Sequence, residues 1–284
     1  MSASPVVIVP VYNALEALDA CLASLDRTLP AGTPVLLADD ASPDPRIEPM
    51  ARGWCERSPL GARYVRRPRN LGFPGNCNAA FAEAGDADVV LLNSDTVTTT
   101  GWLAQLVRCA DSDPRIATVT PWSNNAEICS WPRFCEDNPA PEFPDAIAEA
   151  AAGLAPAYPE LPTAVGFCMF LRRAALRQLG DFDAATFGRG YGEENDFCLR
   201  VAAMGWRNVL CDTAYVVHHG GASFEPLDLA PGGENLSRLL ARWPDYNERV
   251  ARFIMADPLA ARRIALEQRL QSLASSGPQR DLFG

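Results

Sequence analysis

The chain has 284 residues, enough for one large domain or one domain with a small appendage. Hydrophobic residues at 48% support a sizeable core. A net charge of -10 argues against a nucleic-acid binder, which must meet phosphates with Lys and Arg, and against an electrostatic anchor on anionic lipid. No run approaches the ~20 apolar residues that span a bilayer. The start enters an apolar run at Val6 without signal-peptide features, and nine scattered cysteines form no CxxC pair. A soluble cytoplasmic protein with reduced thiols packed as small hydrophobes is the expectation.

The first half alternates β-rich runs with helical patterns. Strands are predicted at Val6 to Val11, Val35 to Ala38, Ala62 to Arg66, Val89 to Leu92 and Ile116 to Thr120. Helices are predicted between them at Ala14 to Leu25, Arg46 to Arg57, Gly75 to Ala84 and Trp102 to Ala110. This repetition predicts an α/β fold with a mainly parallel, Rossmann-like central sheet flanked by helices. Pro121 to Pro162 breaks the pattern as a loop-rich insertion with one short helix near Ile147 to Leu154. A strand follows at Ala164 to Leu171, then a short helix, a Gly-rich turn over Phe187 to Gly192 and a helix over Glu193 to Met204. Two more strands are predicted, Asn208 to Cys211 and Tyr215 to Val217. Residues 1–232 are read as the main domain, 233–274 as a small helical extension and 275–284 as a disordered tail.

Unusual polar residues collect at the carboxyl ends of the first four strands, where open α/β sheets bind ligands. These are Pro10-Val11-Tyr12-Asn13, Asp39-Asp40-Ala41-Ser42, Arg69-Asn70-Leu71-Gly72 and Asn93-Ser94-Asp95. Asn13 and Ser42 also suit helix N-caps, and Asp39-Asp40 a solvated turn. There is no GxGxxG after the first strand and no GxxxxGK[ST]. A bound diphosphate would need its charge met by other means, with a metal on Asp95 and the nearby Arg66, Arg67 and Arg69 as the candidates.

Six segments in this order resemble glycosyltransferase family 2, the inverting GT-A family. They are VVIVPVYN at 6–13, DDASPD at 39–44, NLGFPGNCN at 70–78, LLNSDT at 91–96, GYGEENDFCLR at 190–200 and VVHHGGASF at 216–224. The resemblance implies a GT-A-type fold and transfer of a sugar from a UDP- or dTDP-linked donor to a hydroxyl of a glycan, lipid-linked glycan or glycoprotein. By position it assigns Pro10, Tyr12, Asn13 and Asp40 to the nucleotide, with Asn70, Gly72 and Asn78 bordering the same pocket. Asn93, Ser94 and Asp95 match the DxD segment, with Asn93 in place of the first acid. Asp95 and His218 would hold Mn²⁺ or Mg²⁺, and His218 is favoured over His219 by its spacing from the Gly-rich turn. Glu194 matches the catalytic base, which is Asp in most of the family, with Glu193 and Asp196 beside it on the acceptor side.

Asp196 with Arg200 also forms an i,i+4 pair, and three acids at a helix start complement the helix dipole. Gly166 and Phe167 resemble the segment beside the acceptor, and Trp122 offers an aromatic face that could equally be core. Peripheral membrane association and the oligomeric state stay open. A carbohydrate-binding protein without activity and a sugar nucleotidyltransferase are the competing readings, and the latter lacks its Gly-rich basic loop after the first strand.

Overall fold

The computed structural model describes residues 4–220 and 233–276. Its central strand, β1 (Val6–Val11), is apolar throughout because both faces of the sheet are covered. Val7, Val9 and Val11 enter the core on one side and Ile8 the core on the other, the alternation a pleated strand imposes. Parallel neighbours β2 (Pro34–Asp39), β3 (Gly61–Arg66) and β4 (Val89–Leu92) extend the sheet, with Ile8 opposite both Leu36 and Leu91. Helices α1 (Leu15–Thr28) and α2 (Ile47–Arg57) cover the first side through Leu18, Leu22, Leu25 and Ala51. Helix α3 (Phe73–Glu83) covers the other through Cys77, Ala80 and Phe81.

Beyond β4 the sheet departs from the expected mainly parallel arrangement. The remaining elements are β5 (Thr96–Thr98), α4 (Trp102–Asp111), β6 (Ile116–Trp122), α5 (Pro144–Ala152), β7 (Cys168–Leu171), α6 (Arg173–Leu179), α7 (Ala184–Phe187), α8 (Glu193–Ala203) and β8 (Arg207–His218). Strand order is β3-β2-β1-β4-β7-β6-β8-β5, with β7 antiparallel to both β4 and β6. The sheet is mixed because the long insertion returns the chain in the opposite direction. The two strands expected between 208 and 217 are one strand, which runs unbroken through a bulge at 212–214, between the pairs Cys211 with Pro121 and Tyr215 with Trp122, where Asp212 and Thr213 are wholly buried. The strand expected from Ala164 begins only at Cys168. All nine cysteines are free thiols and seven are buried.

Three further helices follow: α9 (Gly233–Arg242), α10 (Tyr246–Ala256) and α11 (Ala260–Ser276). Ser275 and Ser276, expected in a tail, belong to α11; residues 277–284 lie outside the described residues. Helix α11 seats Leu266 in the main core and ion-pairs Arg262 with the buried Asp212 across 2.6 Å. Among the described residues no helix is long and apolar enough to cross a membrane.

Helix α9 is tied to the first turn of α8 by Asp196. One oxygen of its wholly buried carboxylate accepts from Arg242 at 2.8 Å and from Trp243 Nε1 at 3.0 Å, and the other accepts from Arg200 at 2.9 Å. Asp196→Ala would strand three donors aimed at one buried point, which typically costs about 3 kcal/mol. Urea denaturation should show a lower midpoint with little change in slope, and an unchanged midpoint would show that the bonds contribute nothing.

Candidate active site

The carboxyl ends of β1, β2 and β4 open into a cavity of about 420 Å³. Pro10, Tyr12, Asp40, Asn70, Gly72, Asn93, Ser94 and Asp95 line it, as expected from their strand-end positions. Leu71, Gly188 and Arg189 also line it, and of these sequence reasoning did not single out Arg189. The two neighbouring aspartates have divided tasks. Asp39 is wholly buried and holds β2, the loop after it and β3 together, accepting from Ser42 N at 2.8 Å, from Arg66 at 2.7 Å and from the Tyr64 hydroxyl. Asp40 faces the cavity while one oxygen accepts from Leu71 N at 2.6 Å. Burial raises its pKa against the pull of the Leu71 and Gly72 amides and the Arg67 charge.

Two residues assigned to the nucleotide pocket do not line it. Asn13 adopts a left-handed backbone (φ 56°) and braces the loop after β2, donating its amide to Ser42 Oγ and accepting from Asp44 N. Asn78 is spent on both backbone groups of Phe182. Both are structural because the backbone turns at these strand and helix ends have polar groups that must be paired. The basic residues proposed for a diphosphate are also engaged. Arg66 is held by Asp39 and Ser42 O, and Arg67 by Asn76 and Glu83. Arg69 does not reach the cavity wall.

Strand β5 places Asp95 against the end of β8. Thr96 pairs with His218, and His219 N donates to Asp95 O at 3.0 Å. His218 Nε2 then lies 3.5 Å from Asp95 Oδ1, whereas the neighbouring His219 is exposed. The His218 ring stacks on Phe167 with centroids 5.1 Å apart, and its Nδ1 sits 2.6 Å from the Asn125 carbonyl. With Nδ1 donating to that carbonyl, Nε2 is aimed at Asp95: protonated it donates to the carboxylate, and neutral it presents a lone pair, the arrangement that orients a metal-binding imidazole. Burial lowers the His218 pKa, but the hydrogen bond and charge of Asp95 outweigh it, so the net shift is upward. A carboxylate oxygen and an imidazole nitrogen suit a divalent cation, Mn²⁺ more than Mg²⁺. No cluster of three or more His, Cys, Asp or Glu stands among the described residues.

Glu193 and Glu194 open α8 after Gly192, whose φ of 107° only glycine adopts readily. Glu194 is half-buried, accepts from Gly192 N at 3.3 Å, and faces Gly166, where a β-carbon would sit 3.8 Å from its carboxylate. Burial raises the pKa of Glu194. Tyr191, whose hydroxyl is raised by burial and then by the charges of Glu194 and Asp95, lies in the field of both carboxylates. Glu193 is only 2% exposed.

Trp122 and Asp196, expected on the acceptor side, are wholly buried in other contacts, and Phe167 also has a contact of its own. Trp122 is wholly buried in the core and offers no face to a sugar. Phe167 supports the His218 ring, and Asp196 is spent on α8 and α9 contacts.

Residues 6–180 match the family model "Glycosyl transferase family 2". The chain is 29% identical over 245 residues to an N-acetylglucosaminyl-diphospho-decaprenol L-rhamnosyltransferase of Mycobacterium tuberculosis, covering 76% of this chain and 75% of that one. Similar solved structures include GalNAc-T7 with UDP, GalNAc and Mn²⁺ (TM-score 0.64, 13% identity, 94% of this chain), of which this chain spans about half, 54%. A mannosyltransferase of Pyrobaculum calidifontis with GDP-Man and Mn²⁺ matches 98% of this chain and 76% of its own at TM-score 0.58 and 19% identity. TarS 1-349 of S. aureus with UDP-GlcNAc matches 95% and 84% at TM-score 0.58 and 16% identity. At such identities these structures speak for the GT-A fold. The chain belongs to glycosyl transferase family 2 and is a glycosyltransferase.

The pKa of Glu193 lies well above the glutamate value of 4.5, through burial first and then the charge of Glu194. The folded chain therefore keeps a proton that the unfolded chain releases near pH 4.5, and this contribution to stability declines as pH rises above that point. Glu193→Gln abolishes the titration. Wild type should lose stability relative to this variant between pH 5 and pH 8, measured by urea denaturation, and parallel curves would refute a protonated Glu193.

Proposed function

We propose that this glycosyltransferase is an inverting, metal-dependent enzyme that moves a sugar from a UDP- or dTDP-linked donor to a hydroxyl of a lipid-linked glycan. The single observation that carries the reading is the meeting of Asp95 and His218 at the mouth of a cavity lined by Asp40, with Glu194 on the adjoining helix start. The rhamnosyltransferase relative carries a lipid-diphosphate sugar in its name, which favours a deoxyhexose donor and a lipid-linked acceptor. Such an acceptor suits peripheral contact with a membrane, and nine free thiols suit the cytoplasm.

Asp40, Pro10 and Tyr12 would take the nucleoside, and Asn93 and Ser94 the ribose and sugar. Asp95 and His218 would hold Mn²⁺ or Mg²⁺, which supplies charge neutralisation for the departing diphosphate. Glu194 removes the proton from the acceptor hydroxyl as its oxygen bonds to the anomeric carbon, while the bond from that carbon to the diphosphate oxygen breaks on the opposite face. One displacement inverts the anomeric centre. The raised pKa of Glu194 makes it a stronger base than an exposed glutamate.

Three measurements test this reading. Screening UDP- and dTDP-sugars for transfer, with and without Mn²⁺, should show one donor class active, loss in EDTA and no rescue of Asp95→Ala; full turnover in EDTA would remove the metal. Glu194→Gln should lower transfer by roughly 10²–10⁴-fold with donor affinity kept. Because only ionised Glu194 is a base and its pKa is raised, kcat/KM should fall with acid from a pH above the ordinary glutamate range. Near-normal transfer by Glu194→Gln would place the base elsewhere.

A further inference from the structure

The cavity walls carry two carboxylates, Asp40 and Asp95, and one cation, Arg189. Arg189 is exposed, and its guanidinium makes no hydrogen bond or ion pair with another described residue, whereas Arg66 and Arg67 are held by other residues. Its position is nevertheless built. From one side, Phe73 N donates to the Arg189 carbonyl at 3.3 Å. Gly72, at φ 74°, passes so close that a β-carbon there would stand 2.5 Å from Gly188 O and 3.1 Å from the Arg189 Cα. From the other side, Asn235 of α9 donates through one Nδ2 to Phe187 O at 2.9 Å and Gly190 O at 2.6 Å, bracketing Arg189 in sequence. Arg238 of the same helix donates to Thr186 O at 2.7 Å. A loop gripped from both sides that points its one cation at an acid-lined cavity is arranged for an anion.

We propose that Arg189 binds the diphosphate of the nucleotide-sugar donor, with Gly72 and Asn235 as the residues that position its loop. The inference rests on the donor reading above and adds the group that meets charge the metal leaves unmet. A planar guanidinium can donate two parallel hydrogen bonds to phosphate oxygens, which a lysine cannot reproduce. It also gives α9 a function: the helix that holds the base-bearing turn through Asp196 holds the diphosphate-binding loop through Asn235.

Calorimetric titration of the full chain with UDP, dTDP and GDP, and with uridine, thymidine and guanosine, tests it in the presence of Mn²⁺. For whichever diphosphate binds wild type, Arg189→Ala should weaken binding about ten- to hundredfold, the size of a lost charge-assisted contact, and leave the nucleoside unchanged. Arg189→Lys should recover part of the loss. Asn235→Ala should move in the same direction, raising donor KM without changing the nucleoside affinity. Equal losses for diphosphate and nucleoside, or none for either, would overturn the role of Arg189 while leaving the donor reading intact. Wild type that binds none of the three diphosphates would overturn both. Arg189 is exposed, so a thermal midpoint equal to wild type should accompany the loss; a large drop together with lost nucleoside binding would make the residue structural.

Discussion

The site depends on three residues of edge strand. Thr96, Val97 and Thr98 pair antiparallel with the last three residues of β8, and this short ladder fixes where two distant segments meet. Asp95 stands one residue before it and His218 at its end, more than a hundred positions apart in sequence. Without that pairing, the Asp95 carboxylate and the imidazole would hang on separate loops. With it, the backbone bond from His219 to Asp95 and the stack of Phe167 on His218 leave both groups little freedom. Preorganisation of this kind would suit the two groups to the proposed role of holding a hard cation.

The acids of this chain separate by who pays their desolvation. Asp39, Asp196 and Asp212 are wholly buried, yet arginines, backbone amides or a tryptophan donate to them, so they organise structure. Asp40 and Glu194 have fewer donors, and burial lifts their pKa values. Carboxylates left partly unmatched beside a cavity are those with something still to bind, a difference visible only when donors are placed in space.

That difference marks what was legible in the sequence. Strands β1, β2 and β4 could be read directly, since strands buried on both faces must be continuous apolar runs. The strand-end residues that line the cavity followed from their position in such a sheet. Strand β5 was not legible, because Thr-Val-Thr has too few residues for a period to show, and its partner is β8. The reversal of β7 was equally hidden, as four apolar residues carry no direction. Asn13, Asn78 and Asp196 stand in the right motifs but answer local backbone or helix-packing demands, and motif position alone does not separate these tasks. Trp122 was ambiguous for the reason aromatic residues always are: a large ring serves a core as well as a sugar.

The C-terminal helices alter how the site should be understood. Helix α9 reaches the first turn of α8 through Arg242 and Trp243, and the glycine-rich loop before it through Asn235 and Arg238. That loop contains Gly188, Gly190 and Gly192, all with positive φ, so it has little conformational preference of its own. Glycines permit the path the loop takes past Gly72, and they also make other paths cheap. A flexible segment that must present Arg189 on one side and deliver Glu194 on the other needs an external template. Helix α9 is that template, held in turn by Asp196, two residues beyond Glu194 on the same helical turn. The extension and the segment that carries Glu194 are therefore one mechanical unit, and a change that loosens α9 would act on both ends of that segment at once.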